Sequence, residues 1–141
     1  MAETLFLHLP AADQAVGWLP VDTLGNRIGR VQQGGLTDAA AAARGRRLRV
    51  LVPGVHISLL RTSVPTRNPQ KLLQAVPFAL EDLLAEDIES LHFAIGPRDA
   101  DGCSVAVLQR ARLEQWLQQL ADAGLKADEL IPDMLALPAH P

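Results

Sequence analysis

The sequence predicts an α/β protein in which a βββαβ opening and a final strand form a mixed sheet around an inserted βαββα unit. Three observations support this fold class. Short segments that alternate apolar and polar residues precede residue 34, with turn residues between them. Residues 48–52, LRVLV, form an apolar run that is typical of a strand. Two later segments, 68–84 and 113–120, repeat apolar residues at spacings of three and four, which is the helical period.

Three short strands come first and are predicted to form an antiparallel meander. They cover residues 4–9, 14–21 and 27–33, and the turn at 24–26 joins the last two. Pro20 indicates an edge position for the second strand, because proline cannot donate a hydrogen bond to a neighbouring strand.

A short helix and a further strand complete the opening. Thr37 is a favourable N-cap for a helix through the alanines at 39–43, and Gly45 suits the end of that helix. The apolar strand at 48–52 is expected to be buried on both faces.

The inserted unit is predicted at residues 54–125, between a core lobe made of residues 1–53 and 126–141. Its predicted elements are a strand at 56–64, a helix that begins after Asn68, strands at 91–95 and 104–108 joined by a turn at 99–102, and a helix that contains Leu113, Trp116, Leu117 and Leu120 and stops at Gly124. A last strand at 128–131, closed by Pro132, is expected to return to the core lobe.

The helix after Asn68 is the longest helical pattern in the chain. Asn68 can accept a hydrogen bond from the first turn, and Pro69 fits the first helical position. Pro77 interrupts the pattern at a cost of about 3 kcal/mol, so the helix either kinks or divides there. We favour a kink, because the apolar face continues in phase. The residues expected on the buried face are Leu72, Leu73, Val76, Leu80, Leu83 and Leu84.

Length and composition suit one compact domain or two small lobes. The chain has 141 residues and a formal net charge of −3, which gives no general attraction to nucleic acid or to an anionic membrane. A single cysteine provides no disulfide framework, and the N-terminus does not resemble a signal peptide. No apolar run approaches the roughly 20 residues that span a bilayer. We therefore expect a soluble, cytoplasmic piece of a longer protein, since PDMLALPAHP ends without a helix cap or a polar tail.

No catalytic or metal-binding motif stands out. The glycines do not match a phosphate-binding loop, and the scattered residues His8, His56 and His140 lack metal-ligand spacing. Cys103 and His92 could form a nucleophilic pair across two strands, but a buried strand cysteine is the simpler interpretation. Residues 99–102 imitate the start of a calcium loop but lack its later ligands, so a hairpin turn is favoured.

Two charged clusters remain. The basic one, Arg44, Arg46, Arg47 and Arg49, could bind phosphate or nucleic acid, but it lacks interleaved aromatic residues. We interpret it as structural, because cations suit the C-terminus of the preceding helix. The acidic cluster could hold a divalent cation, form a solvated helix face or dock a protein. It contains Glu81, Asp82, Glu86, Asp87 and Glu89.

Three segments resemble the type II secretion system protein L family. They are LLQAVPFALEDLLAEDIESLHFAIG at 72–96, SVAVLQRARLEQWLQQLADAGL at 104–125 and IPDMLALP at 131–138. The resemblance covers most of residues 50–138 and implies an actin-like, RNase H-related fold, similar in plan to PilM and FtsA. It also implies that this chain is the first cytoplasmic lobe, with a second lobe, a transmembrane helix and a periplasmic domain further on.

The resemblance implies a non-enzymatic assembly protein of the inner-membrane platform. Its expected partners are the N-terminal domain of the secretion ATPase, protein E, and, through regions outside this chain, protein M; homodimerisation is also possible. The five acidic residues above are candidate docking residues by charge and exposure. No cofactor is expected: residues 4–9 lack the carboxylate of RNase H nucleases, and the turn at 9–13 lacks the Asp-Gly pair of actin-like ATPases. The alternatives are a pilus-type peptide adaptor and a nucleotide-responsive ATPase.

Overall fold

The computed structural model describes residues 2–10 and 15–136, which fall into two compact units. Residues 1–55 and 115–141 form the first unit, and residues 56–114 form the second. The strands and helices, in chain order, are β1 Thr4–His8, β2 Val16–Val21, β3 Gln32–Gly34, α1 Leu36–Ala43, β4 Arg47–Val52, β5 Ser58–Thr62, α2 Pro69–Leu80, β6 Leu91–Asp99, β7 Gly102–Gln109, α3 Arg110–Asp122 and β8 Glu129–Pro132. This is the predicted order of elements. The boundary after residue 114 lies inside α3, so the lobe bounds predicted from the sequence stay a prediction.

The first unit is built on a five-stranded mixed sheet with the strand order β3-β2-β1-β4-β8. The meander β1-β2-β3 is antiparallel, whereas β4 lies parallel to β1 and β8 lies parallel to β4. The chain leaves this sheet after β4 and returns to it at β8, as the sequence predicts. The predicted α/β class with a mixed sheet is confirmed.

The strand β4 is buried on one face, not on both as expected. Leu48 lies opposite Leu5 and Val50 lies opposite Leu7 in the parallel register, and all four side chains are buried. The alternate residue Arg49 points to the other face, where it is only partly buried and pairs with Glu129.

The second and third strands differ from the prediction in two details. Pro20 does not lie in an edge strand, since β2 pairs with β1 on one side and with β3 on the other. However, β3 covers only residues 16–18 of β2, and the Pro20 carbonyl accepts a hydrogen bond from Ile28 N at 2.9 Å. The strand expected at 27–33 shortens to three residues because Gly29 adopts a φ of +80°, which a strand does not allow.

The helix α1 begins at Leu36, so Thr37 is inside it and is not its cap. Gly35 takes the N-cap position, and its N–H donates to Asp38 Oδ2 at 3.0 Å. The end of the helix agrees with the prediction, since Gly45 follows in the left-handed region at a φ of +70°.

The second unit is a three-stranded antiparallel sheet with the order β5-β7-β6, and α2 contacts β5 and β6. Its core combines one face of α2 with alternate residues of β6 and β7. The buried members are Leu72, Val76, Leu80, Leu91, Cys103, Val105 and Val107.

The helix α2 confirms the predicted cap and corrects the predicted apolar face. Asn68 Oδ1 accepts from Gln70 N at 2.9 Å and from Lys71 N at 3.4 Å. The helix continues through Pro77 as one α-helix and does not divide in two, and a 3₁₀ turn at Glu81–Leu83 follows it. Contrary to the prediction, Leu73 is 56% exposed and Leu83 is 68% exposed. The tighter 3₁₀ turn explains Leu83, because it removes the residues after Leu80 from the α-helical phase.

Within residues 2–10 and 15–136, no helix is long and apolar enough to cross a membrane.

Candidate functional site

The predicted docking residues lie together on the connection between α2 and β6. Glu81 and Asp82 belong to the first 3₁₀ turn, and Glu89 belongs to a second turn, Ile88–Ser90. Glu86 and Asp87 lie between these turns, and all five side chains are exposed. The structure therefore places every candidate on one solvent-accessible segment, and docking stays a prediction.

Buried side chains hold this connection against the core of the second unit. Leu80 and Leu91 are buried at its two ends, and Leu84 packs against the same core in its middle. Asp87 shapes the second turn: its Oδ1 accepts from Glu89 N at 3.3 Å, and its backbone carbonyl accepts from Ser90 Oγ at 2.7 Å. The acidic residues are thus presented on an anchored segment.

The five carboxylates differ in what they contact. Glu86 Oε2 accepts from Gln109 Nε2 at 3.0 Å, and Asp87 caps its own turn. In the part of the chain that the structure describes, the carboxylates of Glu81, Asp82 and Glu89 have no hydrogen bond or ion pair. These three carboxylates can therefore bind a partner without losing an internal contact.

Sequence reasoning missed one residue of this surface, Phe78, which is 70% exposed. Phe78 lies outside the three-and-four spacing of the buried face, two residues from both Val76 and Leu80. Two residues turn an α-helix by about 200°, so a residue there lies opposite the core. This phase was a readable signal for an exposed aromatic side chain.

A second cluster forms where the parallel strands of the first unit end. β1, β4 and β8 have their carboxyl ends at one edge of the sheet. Asp133 follows β8 there; its Oδ1 accepts from Gly54 N at 2.9 Å, and its Oδ2 lies 3.4 Å from His8 Nε2. No local pattern in the sequence indicates this cluster, because 79 and 125 residues separate Asp133 from its two partners.

This strand-end cluster occupies the position where open α/β sheets bind ligands. A Cβ atom added to Gly54 would lie 2.9 Å from Asp133 Oδ1 and would press on the Met134 side chain. The Gly54 N–H, a donor of the kind that phosphate oxygens use, is already bonded to Asp133. Asp133 and Met134 therefore fill this part of the edge.

The suggested pairing of Cys103 with His92 is wrong. Cys103 lies opposite Arg98 in the β6–β7 hairpin, whereas His92 lies opposite Leu108 near the other end. Cys103 is only 1% exposed and faces the core, and His92 is exposed. A buried strand cysteine was the simpler interpretation, and it holds.

Metal binding gains no support from the structure. Within residues 2–10 and 15–136, no group of three or more His, Cys, Asp or Glu could hold a metal ion. His140 and residues 11–13 of the first turn lie outside the described residues.

The hairpin interpretation of residues 99–102 is confirmed. Asp99 pairs with Gly102 in the register, and Gly102 has a φ of +133°. Asp99 Oδ1 accepts a hydrogen bond from Asp101 N at 2.9 Å. Both carboxylate oxygens of Asp99 accept from Arg61 Nη2 at 2.8 Å. The Asp101 backbone N–H, followed by the Arg61 guanidinium, lowers the pKa of the Asp99 carboxyl below its ordinary value.

Two of the four arginines in the basic cluster, Arg46 and Arg49, make contacts within the first unit. Arg46 Nη1 donates to the Ala42 carbonyl at 2.9 Å, in the last turn of α1, and Arg46 Nε lies 3.0 Å from Glu3 Oε1. Arg49 pairs with Glu129 at 3.2 Å. The expected structural role at the C-terminus of the helix is thus observed for Arg46.

The sequence and the fold of this chain were compared with those of known proteins. The family model for the type II secretion system (T2SS), protein L, matches residues 23–141. The chain is 42% identical over 90 residues to protein L of Dickeya chrysanthemi, a match that covers 64% of this chain and 23% of that protein. It is 41% identical over 92 residues to protein L of Pectobacterium carotovorum subsp. carotovorum, covering 65% and 22%. The chain therefore spans less than a quarter of the length of these curated relatives.

Two solved structures share the fold. The cytoplasmic domain of EpsL, an inner membrane component of the type II secretion system of Vibrio cholerae, matches with a TM-score of 0.82 and 24% identity, over 99% of this chain and 60% of that one. A chain of the PilM–PilN type IV pilus biogenesis complex matches with a TM-score of 0.64 and 20% identity, over 94% and 48%. At these identities the likeness concerns the fold, and it confirms the predicted fold class.

Proposed function

Because this chain belongs to the type II secretion system protein L family, we propose that it is a non-enzymatic assembly component that recruits the secretion ATPase, protein E, to the inner-membrane platform. The family match over residues 23–141 is the observation that carries the proposal. Protein M is the expected membrane partner, through regions of the protein outside this chain.

The acidic connection between α2 and β6 supports a docking role for the second unit. Its carboxylates are exposed on a segment held by Leu80, Leu84 and Leu91, so a partner would meet a preformed surface. Charges at the rim of an interface steer association and select partners more than they add affinity. We propose Glu81, Asp82 and Glu89 as direct contacts and Glu86 and Asp87 as residues that shape the segment.

A pull-down with the N-terminal domain of the cognate secretion ATPase tests this function. The unaltered chain is expected to retain that domain, and absence of binding by both pull-down and calorimetry would overturn the recruitment proposal. Charge reversal at Glu81, Asp82 and Glu89 is expected to weaken retention. Equal reversal at three exposed acidic residues elsewhere, Asp101, Glu114 and Asp122, serves as the matched control.

The rival ATPase function is tested by calorimetry with ATP and magnesium. We expect no binding of ATP, because β1 carries no carboxylate and the Gly54 N–H already donates to Asp133. Micromolar binding would overturn the non-enzymatic proposal.

The pilus-type adaptor has the same fold, so the fold likeness does not favour it. Retention of a pilus-derived peptide with no retention of the ATPase domain would favour it.

A further inference from the structure

An exposed aromatic side chain lies on the outward face of α2, near the C-terminal end of the helix. Phe78 is 70% exposed, and the residues before it on the same face, Lys71 and Gln74, are polar and exposed. They lie seven and four residues before Phe78, a spacing that places side chains on one helix face. A large apolar residue at a position where the pattern requires a polar one favours a binding role over a packing role.

Two acidic residues follow this aromatic side chain where α2 ends. Glu81 and Asp82 follow Phe78 by three and four residues, and Glu81 keeps helical backbone angles with a φ of −53° and a ψ of −41°. Glu81 therefore lies beside Phe78 at the end of the helix, where its backbone N–H donates to the Phe78 carbonyl. Asp82 follows Glu81 in the 3₁₀ turn. Leu83, 68% exposed, follows directly in the chain. We call Phe78, Glu81, Asp82 and Leu83 the Phe78 patch.

The patch has the anatomy of a protein-binding hot spot, with apolar anchors beside a polar rim. Its charge is one-sided: residues 78–90 contain five acidic residues and no Lys, Arg or His. A complementary partner therefore presents an apolar pocket for the phenyl ring, with lysine or arginine around the pocket.

The same charge argues against a second copy of this chain as the occupant. A two-fold symmetric interface places a patch against its own copy. Here that arrangement would bring like-charged carboxylates together with no basic residue between 78 and 90 to compensate.

We propose that the Phe78 patch is the contact that binds the secretion ATPase, with Phe78 as the energetic anchor and Glu81 and Asp82 as the steering charges. This inference rests on the proposed recruitment function and adds an apolar anchor, Phe78, to the acidic contacts proposed above. It predicts that the ATPase N-terminal domain carries an apolar pocket bordered by basic residues.

Surface plasmon resonance of the full chain with the ATPase N-terminal domain tests the assignment at two salt concentrations. Phe78→Ser is expected to raise Kd about tenfold or more, mainly through faster dissociation. Glu81→Lys with Asp82→Lys is expected to slow association and to reduce its salt dependence. Leu73→Ser is the matched control, since Leu73 is 56% exposed on the same helix, five residues before Phe78 and outside the patch; its Kd is expected to remain unchanged.

The outcomes separate the surface from the function. If the unaltered chain binds and Phe78→Ser binds equally well, the patch assignment is overturned and recruitment stands. If the unaltered chain does not bind, recruitment fails and the assignment fails with it. Sedimentation of the chain alone is expected to be the same with and without Phe78→Ser; self-association that depends on Phe78 would assign the patch to a second copy instead.

Discussion

Carboxylates next to β8 in the first unit differ from those of Glu81 and Asp82 in the second unit in what they contact. In the first unit, Asp128 Oδ2 accepts from Leu48 N at 2.7 Å, and Asp133 Oδ1 accepts from Gly54 N at 2.9 Å. Glu129 pairs with Arg49 across neighbouring strands. In the second unit, Glu81 and Asp82 are exposed and have no such contact among the described residues. Identical side-chain chemistry therefore makes internal contacts beside β8 and leaves Glu81 and Asp82 available to a partner.

The apolar residues of α2 show the same division within a single helix. Val76 and Leu80 are buried in the core of the second unit, while Phe78 between them is exposed. Burial of a leucine contributes roughly 1.5–3 kcal/mol, whereas an exposed phenyl ring adds little to folding. A residue that adds little to stability can be retained for binding. Substitutions on the two sides of this division are expected to differ in their effect on stability.

Leu80→Ala is expected to have the largest effect, a loss of about 2–5 kcal/mol in the free energy of unfolding, because it leaves a cavity under α2. Leu83→Ala, three residues later, is expected to change stability by less than about 0.5 kcal/mol. Urea unfolding followed by circular dichroism measures both. Equal losses for the two variants would contradict the division between core and surface.

Asp133→Ala is expected to destabilise the first unit by about 1–2 kcal/mol, because the Gly54 N–H loses its acceptor at a partly buried position. Asp133→Asn keeps an oxygen at Oδ1 and is expected to recover most of this loss. Glu81→Ala is the counterpart from the second unit, with an expected change within about 0.5 kcal/mol. A loss for Glu81→Ala as large as that for Asp133→Ala would show that the contrast between the carboxylates is false.

Asn68→Ala is expected to cost about 1 kcal/mol, since it removes the side-chain acceptor for the first turn of α2. Asn68→Asp retains that acceptor and is expected to remain near the original stability. Chemical denaturation measures the difference. An unchanged midpoint for Asn68→Ala would mean that α2 is held by packing alone.

Asp99 gives the smallest expected effect and a pH signature. Its folded pKa is lowered below the ordinary value of 3.8 by the Asp101 backbone N–H and then by Arg61. A lowered folded pKa contributes stability above the unfolded value, and this contribution is lost as the pH falls through the folded pKa.

Titration by NMR is expected to show the Asp99 carboxyl midpoint below 3.8, and Arg61→Ala is expected to move it upward. Asp99→Asn is expected to lose less stability than the unaltered chain when the pH is lowered below about 4. A midpoint at the ordinary value would show that the hairpin contacts do not persist in solution.

Local patterns decided most of the elements correctly, because each depends on neighbours in sequence. Asn68 and Pro69 fix the start of α2 through backbone groups within the same turn. The hairpin at 99–102 follows from Asp99 and Gly102 for the same reason. Two errors were also local, namely the cap of α1, which is Gly35, and the exposure of Leu83. The error at Pro20 came from distant residues, because β3 pairs with residues 16–18 and makes β2 an inner strand.

The candidate site divides in the same way. The acidic cluster at 81–89 can be read from the amino-acid sequence, because a run of like charges is visible without a fold. The tertiary structure alone shows that Leu83 is exposed, because the 3₁₀ turn at 81–83 takes it out of the helical phase of α2. It alone also joined Asp133 to Gly54, because the parallel strands β4 and β8 bring their carboxyl ends to one edge across 79 residues of chain.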